Sequence, residues 1–165
     1  MLRIGLLSDT HSSIHPRVFD FFKDCDEIWH AGDIGSTDVA EKLSQFKSFR
    51  AIYGNIDGTP IRYRFPEIQI FMVESVKVVM IHIGGYPGHY PPRIRNLLVT
   101  EKPTIFICGH SHILKVIYDE KYQVLHINPG AAGNSGLHRT ITMVRFIIDN
   151  DQIKDLEVLD IPRKG

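Results

Sequence analysis

The chain has 165 residues, of which 43% are hydrophobic and 23% are charged, and its nineteen basic and nineteen acidic residues give a formal net charge of zero. This composition is typical of an ordinary globular domain rather than of a disordered or membrane-spanning chain. The lack of a basic excess argues against binding to a nucleic-acid backbone, whereas a small phosphorylated ligand needs only local positive charge.

The sequence shows no targeting or membrane signal. Its first residues, MLRIGLLSDTHSS, have the wrong flanks for a signal peptide, and no apolar run approaches the length of a bilayer span. Cys25 and Cys108 are far apart and follow no disulfide or metal pattern, so we expect both to be reduced. These features predict a cytoplasmic protein without a membrane partner, folded as a single domain over residues 1–165.

The first third of the chain alternates short apolar strands with amphipathic helices. Strands are predicted at 2–8, 27–30 and 49–53, and helices with apolar residues at helical spacing at 15–23 and 37–46. The order β-α-β-α-β predicts a parallel sheet with crossover helices.

The remainder of the chain is richer in strands. We predict an antiparallel pair at 67–73 and 76–81, a helix at 91–100 and a buried strand at 104–108. Alternating apolar and polar residues then predict four further strands joined by two tight turns, at 114–118, 122–127, 140–148 and 153–159. We therefore expect a mixed α/β protein whose second half is mainly antiparallel.

Metal-ligand side chains follow five of the predicted strands. In an open α/β sheet, ligands bind beyond the carboxyl ends of the strands. The strand ends read SDTH, HAGD, GNID, IH and GHSH, and together they supply Asp9, His11, Asp33, Asn55, Asp57, His82, His110 and His112. Each residue has an ordinary interpretation on its own, such as a helix cap for Asp9 or a turn residue for Asn55. Their joint placement at one edge favours a site.

The chemistry of these side chains predicts a dinuclear metal centre. Carboxylate, amide and imidazole ligands without a thiolate suit Mn²⁺, Zn²⁺, Fe or Ni²⁺ better than Mg²⁺ or a structural zinc. Seven ligands exceed the needs of one tetrahedral ion but suit two ions that share a bridging carboxylate. His110 and His112, separated by Ser111, can reach opposite sides of one turn and so serve both ions.

Five motifs occur in order along the chain: D-x-H, G-D, G-N-x-D, H and G-H-x-H. This ordered set resembles the pattern of the calcineurin-like metallophosphoesterase superfamily. The closest likeness is to its small branch of YfcE-type phosphodiesterases, which is related to the Vps29 scaffold. The segment NPGAAG at 128–133 is also similar to the segment that follows in that branch. The resemblance implies a four-layer α-β-β-α sandwich. It also implies a phosphodiesterase that uses a metal-activated hydroxide on a small phosphoester, with two divalent ions, Mn²⁺ favoured over Zn²⁺, Ni²⁺ and Fe.

The resemblance also divides the ligands between two ions that share Asp33. The first ion takes Asp9, His11 and His112, and the second takes Asn55, His82 and His110. Asn55 and His82 are further expected to touch the phosphate, and Asp57 to orient a neighbouring ligand.

The sequence departs from the superfamily pattern at two places. Many members have a histidine after G-N that can protonate the leaving group, whereas Ile56 stands here and cannot transfer a proton. The segment HIGGYPGHY also lacks the expected histidine-glycine pair, so His82 is the preferred ligand and His89 the alternative.

A Vps29-like protein-interaction scaffold with weak or vestigial activity is the main alternative function. The full set of competent ligand side chains favours an enzyme over that scaffold. A nuclease is disfavoured because the chain is short and neutral, and a homo-oligomer is left open.

Overall fold

The computed structural model describes residues 1–163, so the last two residues of the predicted 1–165 domain lie outside the described residues. Within that range the chain forms ten strands and four helices. The strands are β1 Leu2–Leu7, β2 Glu27–His30, β3 Ser48–Ala51, β4 Ile68–Val73, β5 Val76–Ile81, β6 Ile105–Ile107, β7 Leu114–Asp119, β8 Val124–Pro129, β9 Thr140–Asp149 and β10 Gln152–Pro162. The helices are α1 Arg17–Phe21, α2 Thr37–Phe46, α3 Thr59–Arg64 and α4 Pro92–Glu101.

The first sheet has the strand order β10-β9-β1-β2-β3. β1, β2 and β3 are parallel, as the alternating first third predicts. β9 pairs antiparallel with β1, and β10 forms a hairpin with β9 at the edge. The last two strands of the chain therefore complete the sheet that the first three begin.

The second sheet has the order β4-β5-β6-β8-β7. Its outer pairs, β4 with β5 and β7 with β8, are antiparallel as predicted. Its centre differs from the expectation of a mainly antiparallel half, because β5, β6 and β8 run parallel. The alternation of apolar and polar residues indicates which face of a strand is buried, but it does not indicate which strand is its neighbour in the sheet. The sequence therefore does not predict this pairing.

The two sheets pack face to face with helices on both outer faces. The largest core lies between the sheets and includes Trp29, which makes edge-to-face contacts with Phe146 of its own sheet and Phe71 of the other. A second core lies between the first sheet and α1, α2 and α3, and a third lies between the second sheet and α4. The result is the four-layer α-β-β-α arrangement that the resemblance implies.

Two helices differ from the sequence prediction. α1 is only five residues long rather than nine, and α3 was not expected at all. α3 buries only Ile61, so it leaves no apolar periodicity in the sequence, although Pro60 in its first turn is a common start signal. In the part of the chain that the structure describes, no helix has the length and apolar character needed to cross a membrane.

Candidate metal centre

The loops after β1, β2, β3, β5 and β6 meet at one end of the two sheets. Backbone hydrogen bonds hold these loops against each other: Asp9 N–H donates to Gly32 O at 2.9 Å, and His11 N–H donates to Asp33 O at 3.0 Å. Across the sheets, Gly109 N–H donates to His82 O at 2.9 Å. All seven predicted ligands belong to these loops, and their side chains point into one cleft.

The ligand atoms fall into two groups. Asp9, His11 and His112 form one group, and Asp33, His82 and His110 form the other, with the potential ligand atoms of each group within 4.8 Å of one another. These groups match the two ligand sets that the resemblance implies, with two differences: neither group includes Asn55, and Asp33 belongs to the second group only. The Oδ1 atom of Asn55 lies 3.0 Å from Nδ1 of His110, which places the amide beside the second group.

Asp33 lies between the two groups. Its Oδ2 atom is 3.4 Å from Nε2 of His11 and 3.1 Å from Nε2 of His82. Its other oxygen, Oδ1, accepts the backbone N–H of Ile56 at 3.0 Å. The carboxylate is therefore fixed on one side and reaches both groups on the other, as a bridging ligand must.

Several ligand atoms are buried and lack a hydrogen-bond partner among the described residues. They are Asp9 Oδ1, His11 Nε2 and His82 Nε2, and all three face the same point. Asp9 Oδ1 lies 3.7 Å from the nitrogen of either histidine and 3.3 Å from Nε2 of His112. A buried polar atom without a partner costs about 1–3 kcal/mol, and divalent cations in the two groups would satisfy these atoms. The residues present thus fit a metal ion.

Hydrogen bonds on the far side of two rings fix which nitrogen faces the centre. His82 Nδ1 lies 2.7 Å from the carbonyl oxygen of Ala31 and must carry the proton, so Nε2 presents a lone pair. With Nδ1 bonded to Ala31, Nε2 is the only nitrogen of His82 that faces the centre. His112 Nδ1 contacts Nδ1 of His138 at 3.1 Å, and His138 Nε2 contacts the Gly133 carbonyl at 2.7 Å.

His138 is a component of the site that the sequence did not reveal. It lies in the loop before β9 and follows no motif, so only the fold shows that its ring reaches His112. Asn128 is a second such residue, although it belongs to the NPGAAG segment. Its side-chain amide donates to Gly109 O and Ser111 Oγ, both at 3.0 Å, and so supports the loop that carries His110 and His112.

The electrostatics of the centre favour bound positive charge. Burial opposes ionisation of Asp9, but the imidazoles of His11 and His112 beside it outweigh that effect and hold the pKa of this carboxyl far below its usual range. The pKa of Asp33 is also lowered, since the proximity of the His82 ring overcomes the effect of burial. The pKa of His82 is raised in turn by these carboxylates despite its own burial. The two buried carboxylates are therefore anionic at neutral pH, and a divalent cation can supply the balancing charge.

The backbone at the site is unusual for non-glycine residues. Five of the seven proposed ligands have a positive φ, and these are Asp9, His11, Asp33, His110 and His112. Asp and His are among the residues that tolerate this region, and such strain clusters at functional sites. Gly54 and Gly109 allow the loops to approach closely, since an added Cβ would lie 2.1 Å from Asp33 Oδ1 at Gly54 and 2.7 Å from Asp9 Oδ2 at Gly109.

Asp57 acts on the main chain rather than on a ligand side chain. The buried carboxylate accepts the backbone N–H groups of Ile34, Gly35 and Gly54 at 2.8–3.1 Å. These groups lie directly beside Asp33 and Asn55 in the sequence. Asp57 therefore ties together the two loops that carry those residues, which is an indirect form of the orienting role expected for it.

The two sequence departures lie at the edge of the cleft. The Ile56 side chain is 47% exposed, and only its backbone contacts a ligand. His89 is exposed, stacks on the Tyr86 ring at 4.7 Å and belongs to neither ligand group. The geometry therefore favours His82 over His89 as the ligand from the segment after β5.

Known proteins share both the sequence pattern and this fold. Residues 2–151 match the profile of the calcineurin-like phosphoesterase superfamily domain. A probable metallophosphoesterase of Methanothermobacter thermautotrophicus is 32% identical over 161 residues, which cover 94% of this chain and 91% of the relative.

Two solved structures illustrate the likeness in fold. An archaeal phosphodiesterase superposes with a TM-score of 0.75 at 22% identity, covering 96% of this chain and 100% of its own. Vps29 of Entamoeba histolytica in complex with zinc superposes with a TM-score of 0.75 at 14% identity, covering 99% and 100%.

Proposed function

Because the chain belongs to the calcineurin-like phosphoesterase superfamily, we propose that it is a phosphodiesterase that hydrolyses a small phosphoester at a dinuclear metal centre. The observation that carries the proposal is the position of Asp33 between two groups of ligand atoms, with Oδ2 3.4 Å from His11 and 3.1 Å from His82. One ion would be held by Asp9, His11, Asp33 and His112, and the other by Asp33, Asn55, His82 and His110. We favour Mn²⁺ as the native metal and a cytoplasmic location.

When bound, two divalent ions polarise a phosphoryl oxygen and lower the pKa of water, which makes a nucleophile available at neutral pH. The protein groups bind and orient the substrate around that chemistry. Asn55 is exposed at the mouth of the cleft, so its amide N–H can donate to a phosphate oxygen while Oδ1 faces the second group. His82 is buried with both nitrogens committed and serves only as a ligand.

The leaving group receives no proton from the position where many relatives have a histidine. Ile56 occupies it, and its side chain carries no titratable atom. His138 cannot replace that acid, because one ring nitrogen contacts His112 and the other contacts the Gly133 carbonyl. We therefore propose that the enzyme prefers diesters with stable leaving groups, since their departure does not require protonation.

The alternative is a Vps29-like scaffold in which the metal centre has lost its catalytic use. The convergence of the ligand side chains, three of which present buried atoms without a protein partner, favours the enzyme, because a scaffold does not require such atoms. The fold itself does not distinguish the two functions, since both a phosphodiesterase and Vps29 share it.

The test combines metal content with activity. The purified chain is stripped with a chelator, reloaded with Mn²⁺ or Zn²⁺, weighed by native mass spectrometry and assayed on bis(p-nitrophenyl) phosphate. We expect two ions per chain and hydrolysis that appears only after reloading. A maximum of one ion would refute the dinuclear centre, and two ions without hydrolysis of any diester would favour the scaffold.

A further inference from the structure

Four exposed aliphatic side chains are direct sequence neighbours of residues of the candidate metal centre. Ile56, Ile83, Ile113 and Leu137 are 47%, 49%, 63% and 101% exposed, respectively. We call these four residues the aliphatic rim. Each is the immediate sequence neighbour of a residue of the centre: Asn55, His82, His112 and His138. Single exposed aliphatic residues are ordinary, but four around one polar cleft form a feature that hydrolysis of a small polar ester does not explain.

The two sides of the centre offer different surroundings. On the side of His112 and His138 lies a pocket of about 660 Å³ whose walls include Ile113, Leu114 and Leu137. This volume is within the range of ordinary ligand pockets. Arg139 and Asp160 also line it, and their opposite charges cancel. The pocket is therefore large enough for a substantial organic group and has no net charge to attract a second phosphate.

On the side of Asn55 and His82 lies a smaller pocket of about 230 Å³ that contains two arginines. Both guanidinium groups are already engaged. Arg62 donates to the backbone carbonyls of Asp57 and Asn55 and stacks on the Tyr53 ring. Arg93 is paired with Glu67. Arg62 therefore braces the loop of Asn55, and the charge of Arg93 is balanced by Glu67, so neither offers a free cation for an anionic arm such as a nucleotide polyphosphate.

We propose that the substrate is a phosphodiester with at least one apolar alkyl or aryl arm, which binds in the pocket beside His112 against Ile113 and Leu137. This inference rests on the proposed function, because the metal centre must hold the phosphate group. The pocket shares His112 and His138 with the centre, so an arm attached to a phosphate held there extends directly into it.

The test measures binding of dialkyl phosphates, whose alkoxide leaving groups are too poor for hydrolysis to interfere. Dimethyl phosphate and dibutyl phosphate present the same anion to the metals but differ by three methylenes on each arm. Full burial of one methylene strengthens binding about fourfold, so even partial contact on an open rim should make dibutyl phosphate bind about tenfold tighter or more. Isothermal titration of the Mn²⁺-loaded full chain gives both dissociation constants.

The double variant Ile113→Ser with Leu137→Ser removes the proposed contact. Both side chains are exposed, so the variant should fold, and it should lose much more affinity for dibutyl phosphate than for dimethyl phosphate. We expect the ratio of the two dissociation constants to fall to about threefold or less. Val99→Ser, which removes a similarly exposed aliphatic side chain from α4, should keep the full ratio.

The outcomes separate the two proposals. Equal affinity for both esters, or a ratio that the double variant leaves unchanged, overturns the apolar arm. If neither ester nor inorganic phosphate binds the metal-loaded protein, the proposed function itself is overturned.

Discussion

His138 Nδ1 lies 3.1 Å from Nδ1 of His112, and the opposite nitrogen of His138 lies 2.7 Å from the carbonyl oxygen of Gly133. A carbonyl can only accept, so Nε2 of His138 carries its proton and Nδ1 must accept a proton from His112. His112 is thereby held as the tautomer whose Nε2 lone pair faces Asp9, 3.3 Å away. His138, which does not belong to the first ligand group, thus orients the ring of His112, which does.

Loss of His138 should weaken metal binding at one of the two positions. Outer partners of metal-binding histidines typically contribute about 10–100-fold in affinity, so His138→Ala should weaken the first ion by about this factor and leave the second almost unchanged. Titration of the metal-free protein with Zn²⁺, followed by native mass spectrometry, resolves the two steps.

Two further variants serve as comparisons for His138→Ala. His89→Ala removes an exposed histidine that belongs to neither ligand group and should bind both ions normally. His138→Gln should recover part of the affinity, because its amide can accept from His112. Equal weakening of both ions, or normal binding by His138→Ala, would contradict the role of the pair.

Asp33 and Asp57 should respond differently to the same chemical change. Asp33→Asn removes a charge from the carboxylate that reaches both ligand groups, so both ions and the activity should be lost together. Asp57→Asn instead replaces a carboxylate that accepts three backbone N–H groups, and an amide cannot accept all of them. We expect it to keep both ions but to lower the free energy of unfolding by about 1–3 kcal/mol.

Metal content by mass spectrometry and urea unfolding of both variants measure these effects. Retention of two ions by Asp33→Asn would remove that residue from the bridging position. Loss of metal without loss of stability in Asp57→Asn would give Asp57 a direct role at the centre.

The proposed ligands follow more directly from the sequence than the residues that support them, and the reason is physical. Asp9, Asp33 and His110 follow short apolar strands, and the carboxyl ends of parallel strands meet at one edge, so local pattern and topology together are sufficient to find them. His138 acts through a contact that the chain creates only by folding, whereas an orienting role for Asp57 is predicted and only its main-chain partners depend on the fold. The sequence around His138 does not predict that β9 pairs with β1 in the first sheet, which places the loop of His138 next to His112.

The same limit applies to the fold. The parallel β1-β2-β3 unit follows from strands and helices that alternate at short range. β8 pairs in parallel with β6, but other strands have a similar apolar pattern, so the sequence of β8 alone does not identify its neighbour. The pairing depends on burial between the two sheets.

Buried His126 should make stability depend on pH. It is fully buried beside Tyr90, whose hydroxyl contacts Nδ1 at 2.9 Å, and burial lowers its pKa to about 4. The unfolded chain has a normal histidine pKa of about 6.5, so the unfolded state binds a proton first as the pH falls. The stability contributed by neutral His126 is therefore present above pH ~6.5 and is lost as the pH falls towards ~4.

Comparison with His126→Gln isolates this contribution. The variant keeps a polar partner for Tyr90 but cannot titrate, and the equally buried His30 is present in both proteins and cancels. Between pH 7 and pH 4.5, metal-free wild type should lose about 2–3 kcal/mol more unfolding free energy than the variant. Urea unfolding at both pH values measures the difference, and equal losses would show that His126 is protonated in the folded protein.

Ile56 should determine how strongly the reaction depends on the leaving group. General acids typically contribute about 10²–10⁴-fold, and no titratable side chain occupies this position. The rate should therefore fall steeply as the pKa of the leaving group rises, with bis(p-nitrophenyl) phosphate hydrolysed far faster than alkyl monoesters. A series of methyl aryl phosphate diesters, in which only the departing phenol varies, gives the slope at matched metal occupancy.

Ile56→His should make that slope shallower. The substitution keeps the backbone N–H that donates to Asp33 Oδ1 at 3.0 Å, and the side chain it replaces is 47% exposed, so the metal centre and the fold should persist. An imidazole there can protonate the departing oxygen, and its benefit should grow as the leaving group becomes poorer. Ile56→Gln serves as the matched control, since it is polar but cannot act as an acid near neutral pH. A shallow slope in the wild-type enzyme would mean that another group already donates the proton, and the argument from Ile56 would then fail while the metal centre stands.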